Sequence, residues 1–188
     1  ADHRLLTTRG WKYVTGTLQG RSRRPHLTTA NELLGTGQFT APPEEDLEYQ
    51  QGYVCGMVRG DGLLASYAYD GRRRANDVQY QFRLALVDLE ALQRARRYLS
   101  VFEVPTHEFC FQKARAGHRT MHAIRTNVRL HVERVGELIR WPTTPSINWC
   151  KGFLAGIFDA EGSYSQGVLR ISNTDPAIIA CITEGLRW

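Results

Sequence analysis

The spacing of apolar positions changes period several times along the chain. Residues 47–58 place apolar or small side chains at helical intervals, whereas Leu63–Tyr69 and Val78–Val87 alternate with the period of two expected of strands. Asp70-Gly71 and the basic run Arg72-Arg73-Arg74 lie between those strands. Asp88 can cap a helix through Leu89, Leu92 and Leu99, because its carboxylate can accept from the free N–H groups of a first turn. A second strand pair is predicted over 105–115 and 118–128 around Ala116-Gly117, then a helix from about Leu130 to Ile139. Trp141-Pro-Thr-Thr-Pro-Ser146 interrupts the pattern, since neither proline continues a helix. A helix over Asn148–Ala160, a short hairpin over Ser163–Ser172 and a helix started by Asp175 complete the chain. The predicted class is α+β: helix, hairpin, helix, hairpin, helix, then a second start of the same series.

That second start is an internal repeat. Gly52-Tyr-Val-Cys-Gly56-Met-Val-Arg-Gly60-Asp61-Gly62 reappears as Gly152-Phe-Leu-Ala-Gly156-Ile-Phe-Asp-Ala160-Glu161-Gly162. Small residues recur on one helical face in both, although a mid-helix glycine costs about 1 kcal/mol relative to alanine. Backbone-to-backbone packing of the two helices would offset that cost. The glycine after each acid can take the left-handed conformation that ends many helices. Asp61 and Glu161 stand at helix C-termini, where the helix dipole disfavours carboxylates. In a parallel pair the two acids would meet, and a divalent cation such as Mg²⁺ with oxygen ligands would relieve the repulsion. Two unrelated helix ends could each carry an acid before a glycine, but face, acid and glycine coincide twice.

Charge divides the chain into blocks. Residues 1–30 carry six Lys/Arg and one acid, 31–48 five acids and no base, 49–140 fifteen bases and nine acids, and 141–188 three bases and four acids. Gly35–Asp46, with two prolines and three acids, reads as a linker. Of the 24 cationic side chains only Lys12, Lys113 and Lys151 are lysine. Arginine suits phosphates and guanine edges, and equally serves as a solvated surface residue. Gln79, Gln81 and Arg83 share one strand face opposite Tyr80, Phe82 and Leu84, as either a base-reading stripe or an ordinary wet face would. Arg72, Arg73 and Arg74 fit phosphate contacts or a charged loop tip. Tyr67, Tyr69, Phe109 and Phe111 are expected in the core rather than as base-stacking platforms, because they alternate within predicted strands. His118 and His122 lack the helical pairing of a zinc motif. Cys55, Cys110, Cys150 and Cys181 form no paired motif and read as reduced thiols of a cytoplasmic protein. No apolar run is long enough to span a membrane.

At its two motifs the chain resembles the LAGLIDADG homing endonucleases. Val54-Cys-Gly-Met-Val-Arg-Gly-Asp61-Gly62 is similar to the first family motif and Leu154-Ala-Gly-Ile-Phe-Asp-Ala-Glu161-Gly162 to the second. Val168-Leu-Arg-Ile-Ser-Asn-Thr-Asp175 resembles the strand and turn after the second motif. The resemblance implies the family fold, αββαββα repeats forming a saddle-shaped antiparallel sheet over DNA, with one full repeat (47–140), a linker (141–147) and a partial second repeat (148–188). It implies Mg²⁺-dependent hydrolysis of phosphodiester bonds in double-stranded DNA, with Asp61 and Glu161 as metal-binding, catalytic acids. Lys113 would be the basic residue near the scissile phosphate, with Arg119 and Arg125 as rival or further DNA-contacting bases. Arg59 departs from the idealised motif aspartate, at a position that is not the metal ligand. The front end, Asp2-His3-Arg-Leu-Leu-Thr-Thr-Arg-Gly-Trp11, resembles an intein splicing block. By that match residues 1–34 are part of a Hint splicing domain, 35–46 a linker, His3 the splicing histidine, and the partner a host protein around the intein; a lone histidine there could also be merely solvated. The first repeat needs about 94 residues and the second has 41, so a truncated module with weak DNA binding and little cleavage is expected. The alternatives are a non-cleaving nucleic-acid-binding module of the maturase or regulator kind, and a splicing element whose nuclease has decayed.

Overall fold

Thr7 and Gly10 close the first hairpin: the Thr7 hydroxyl donates to the Gly10 carbonyl at 2.7 Å, and Gly10 takes φ +87°. This hairpin joins β1 (Arg4–Thr7) to β2 (Gly10–Tyr13), and β3 (Thr17–Leu18) pairs with β4 (Arg21–Ser22). The computed structural model describes residues 3–18, 21–22, 24–35, 41–68 and 78–187. The chain divides into two compact units, Ala1–Pro42 and Pro43–Trp188. Arg72, Arg73, Arg74 and Tyr69 lie outside the described residues.

In the second unit Asp46 starts α1 (Leu47–Asp61) by accepting from the Tyr49 N–H at 2.8 Å. The helix passes directly into β5 (Gly62–Ala68), which pairs antiparallel with β6 (Val78–Leu86). Asp88 caps α2 (Leu89–Val101) through the Glu90 and Ala91 N–H groups, as its position predicts. β7 (His107–Gln112), β8 (Met121–Thr126) and α3 (Arg129–Leu138) follow. The sheet order is β5-β6-β8-β7. The strands β7 and β8 are shorter than predicted, because Arg115 and His118 bridge a separate tight turn in which Gly117 has φ +81°.

The series then restarts. Ser146 caps α4 (Ile147–Glu161), which runs straight into β9 (Gly162–Ser165). Gln166 and Gly167, at φ +53° and +78°, make the tight turn to β10 (Val168–Ile171). Asp175 caps α5 (Pro176–Gly185), with proline in the first turn where its missing N–H is harmless.

Helices α1, α2 and α3 cover one face of the four-stranded sheet. Phe82, Leu84 and Ile124 are buried there with Val54, Met57, Leu92, Leu99 and Val135. A second cluster joins Trp149, Phe153 and Ile157 of α4 to Ile178 and Ile182 of α5, with Cys55 and Cys150 buried among them. Within Pro43–Trp188 no helix among the described residues lies on the other sheet face, which corrects the expected core aromatics. Tyr67 is 44% and Phe111 41% exposed, and Phe109 is half-buried. Strand alternation defines two faces without saying which one the helices cover. The core aromatics are instead Tyr53 and Tyr98, edge to face at 5.3 Å, with Phe82 and Phe153. Among the described residues no helix is long and apolar enough to cross a membrane.

Candidate carboxylate site and sheet surface

The glycines of the two motifs allow α1 and α4 to touch through their backbones. A Cβ on Gly56 would meet the Ile157 nitrogen at 2.5 Å and the Phe153 carbonyl at 2.6 Å. One on Gly52 would lie 2.9 Å from the Phe153 nitrogen, and one on Gly152 or Gly156 would overlap the Tyr49 or Tyr53 carbonyl. Successive contacts advance together along both chains, so the helices run parallel. At their C-terminal end a Cβ on Gly60 would stand 2.6 Å from that of Ala160.

This packing brings Asp61 and Glu161 to the same end, each at the base of one hairpin. Burial, and then the charge of Glu161, push the Asp61 carboxyl above its ordinary range. The glycines after the acids are not left-handed, contrary to expectation. Gly62 (φ −81°, ψ 142°) and Gly162 (φ −84°, ψ 156°) are extended, because each helix enters its strand without a turn. Glycine is needed for closeness: a Cβ on Gly62 would lie 2.6 Å from the Val58 carbonyl, and one on Gly162 would strike the Phe158 ring and carbonyl.

Glu161 has a polar neighbour that the residue pattern did not single out. The Asn173 amide donates to its Oε1 at 3.3 Å, while the Asn173 side-chain oxygen accepts from the Asp175 N–H at 2.8 Å. The signal available was the segment following the second motif, in which Asn173 lies. In the first repeat Leu84 pairs with Gly62 as Ile171 pairs with Gly162, so the place of Asn173 is taken by the buried Leu86. The two carboxylates therefore have unlike surroundings. Both donors are hard oxygens suited to a cation such as Mg²⁺, and no group of three or more metal-ligating side chains occurs among the described residues.

Arg59 also differs from its counterpart. Its guanidinium donates to the Ile139 carbonyl at 2.9 and 2.6 Å and lies 4.0 Å from the Trp141 ring. It thereby ties α1 to the end of α3 and the segment beyond. Asp159, the equivalent residue of α4, accepts from the Tyr53 hydroxyl and from Arg94 of α2.

On the open sheet face, Gln79, Gln81 and Arg83 follow one another along β6, with Phe82 and Leu84 turned to the core. Arg83 is the cross-strand partner of Arg125, which is partnered in turn by His107. The Arg83 guanidinium lies 4.6 Å from the Phe111 ring and that of Arg125 lies 4.7 Å from Phe109. Lys113 and Arg119 are exposed in the β7–β8 connection, and no ion pair joins Lys113 to either motif carboxylate. His122 turns to the helical side, where its Nδ1 stands 3.7 Å from Glu108. In the first unit His3 is exposed at the start of β1, its carbonyl accepting from the Val14 N–H at 3.3 Å.

No protein-family model matches the sequence, and no curated protein matches it. Solved structures do match. I-DmoI in complex with DNA and calcium is 17% identical, covers 76% of this chain and 73% of its own, and has a TM-score of 0.59. I-DmoI in complex with DNA and manganese is 18% identical over 76% and 78% of the two chains, at a TM-score of 0.56. The N-terminal LAGLIDADG domain of DUF199/WhiA is 13% identical over 76% and 65%, at a TM-score of 0.52. Paired glycine-faced helices leading into antiparallel hairpins, matched over three quarters of the chain, give this protein the LAGLIDADG homing-endonuclease fold.

Proposed function

We propose that this chain is the nuclease-bearing part of an intein, acting on double-stranded DNA through the open sheet and hydrolysing phosphodiester bonds at Asp61 and Glu161. The observation that carries this reading is the convergence of those two carboxylates at the end of two helices in backbone contact. The similarity to I-DmoI, which was solved with DNA and with calcium or manganese, supports it. Asp61 and Glu161 would hold a divalent cation, for which we propose Mg²⁺. When bound, such a cation supplies Lewis-acid polarisation of the phosphate and activates water. Two protein carboxylates leave room for phosphate and water oxygens in the remaining shell. Asn173 orients the Glu161 carboxylate. Lys113, whose ammonium makes no ion pair among the described residues, is proposed as the basic group that meets the scissile phosphate, with Arg119 beside it in the same connection.

We assign 47–140 and 148–188 to the two repeats and 1–34 to a splicing segment, with His3 assisting the first acyl shift in the host protein. The compactness of Ala1–Pro42 as a unit supports that division. Splicing of a precursor with host segments on both sides should slow when His3 is replaced by alanine.

The nuclease reading is tested on DNA fragments selected for binding, incubated with Mg²⁺. Asp61→Asn and Glu161→Gln should abolish the slow cutting expected of a chain with a partial second repeat while retaining binding; cutting at the wild-type rate by either variant refutes the assignment. A second reading, a LAGLIDADG module that binds DNA without cutting it, is supported by the likeness to the N-terminal LAGLIDADG domain of DUF199/WhiA. Sequence-specific binding by the wild-type chain with no cleavage under any divalent cation would select it.

A further inference from the structure

We infer that Arg83 and Arg125 form a guanine-reading pair supported by the rings of Phe111 and Phe109. The inference rests on the proposed duplex-DNA reading of the sheet and deepens it. The two arginines are directly opposed on β6 and β8, the inner strands of the sheet. Like charges facing each other across an antiparallel pair are unfavourable. Among the described residues no ion pair offsets this at either guanidinium. Each lies instead on an aromatic ring of β7, at 4.7 Å for Arg125 over Phe109 and 4.6 Å for Arg83 over Phe111. The rings support one another: His107 stacks on Phe109 at 6.4 Å, and Phe111 meets Phe109 edge-on at 6.3 Å. Ala123, on the same sheet face, is completely covered.

The arrangement is a built platform whose guanidinium groups form no ion pair among the described residues. A guanidinium lying on a ring keeps the N–H groups at its edge free, and its restricted rotamers reduce the entropy lost on binding. Its planar fork is satisfied by two acceptors side by side, as in guanine O6 and N7 or in a phosphate. Position favours the base. Neighbouring strands lie about 4.8 Å apart, so two inner strands fit within a major groove roughly 12 Å wide, with the outer strands nearer the phosphates at its rims. The pair therefore addresses guanines at neighbouring steps, and Phe109 and Phe111 act as positioning residues.

The test is selection of bound duplexes from a random-sequence library by the full chain, without added divalent cation. The wild type should enrich a motif holding two guanines at adjacent or next-adjacent positions. Arg83→Lys and Arg125→Lys keep the charge and lose the fork; each should reduce guanine preference at one position by about tenfold or more, leaving the rest of the motif intact. Phe111→Leu and Phe109→Leu should weaken preference at the position read by the arginine each supports. An unchanged motif in both lysine variants, or a uniform loss across all positions, overturns the inference and leaves the duplex reading standing. Failure of the wild type to enrich any motif overturns both.

Discussion

The Tyr53 hydroxyl of α1 donates to the Asp159 carboxylate of α4 at 2.6 Å, and Arg94 of α2 donates to the same oxygen at 2.9 Å. Arg59, the counterpart of Asp159 in the other motif helix, turns instead to the Ile139 carbonyl. Two helices with one sequence pattern are thus anchored differently. Helix α4 is tied to α1 and α2, and α1 to Ile139 at the end of α3.

Removal of the Tyr53 hydroxyl should be costly. Its ring is fully buried, and burial first, then the bond to Asp159, push its pKa far above the ordinary range, so it is always a donor. Tyr53→Phe should lower unfolding stability by about 1–2 kcal/mol, measured by urea denaturation. Adding Asp159→Asn should cost less than the two single losses combined, because both act on one hydrogen bond.

Two Gly→Ala substitutions should shift stability in opposite directions. A Cβ on Gly136 of α3 would meet only Leu64 Cδ2, at an ordinary 3.7 Å. Gly136→Ala should therefore stabilise by up to about 1 kcal/mol, through helix propensity alone. At Gly152 the added atom would overlap the Tyr49 carbonyl, which is backbone and cannot rotate away. Gly152→Ala should destabilise by roughly 1–3 kcal/mol despite the same propensity gain. Thermal unfolding of the two variants side by side separates the effects.

The distinction between these glycines explains what was legible in the sequence. The small-residue face repeated in two segments announced the helix pair, since propensity alone opposes glycine at each position. Proline breaks and Asp88 and Asp175 marked element starts for equally local reasons. Side selection was not local: Phe109 and Phe111 alternate as core residues do, yet among the described residues no helix covers their face. Gly62 and Gly162 are extended where the sequence predicts a left-handed stop, because an extended glycine after a helix is identified by the crowding behind it, which the sequence does not display. Asn173 and Glu161 meet across a hairpin whose turn had to be known first.

Asp46 gives the fold a pH dependence with a definite sign. The Tyr49 N–H first, then the Asn148 amide, hold its carboxyl below the usual value of 3.8. Its contribution is complete above the unfolded-state value and disappears as pH falls through the lower folded-state value. Asp46→Ala should therefore lower the Tm at neutral pH, and the difference from wild type should shrink progressively below about pH 4. A Tm difference that stays constant down to pH 2 would remove Asp46 from the acid-sensitive set.

The sharpest expectation sets stability against function at the carboxylate pair. Asp61 is partly desolvated beside another negative charge, at the unfavourable end of its own helix. In the absence of divalent cations Asp61→Asn removes the repulsion at little steric cost, so the variant should unfold at a higher temperature than wild type. Adding Mg²⁺ or Ca²⁺ should then raise the wild-type Tm, because a ligand bound only to the folded state stabilises by mass action. It should leave Asp61→Asn and Glu161→Gln nearly unmoved, and both should fail to cut DNA. Differential scanning calorimetry with and without the cation decides the matter without knowledge of the target site. Equal cation-induced shifts in wild type and both variants would place the cation elsewhere. A variant less stable than wild type in chelator would mean that Asp61 serves the fold, and that the paired acids are no strained functional site.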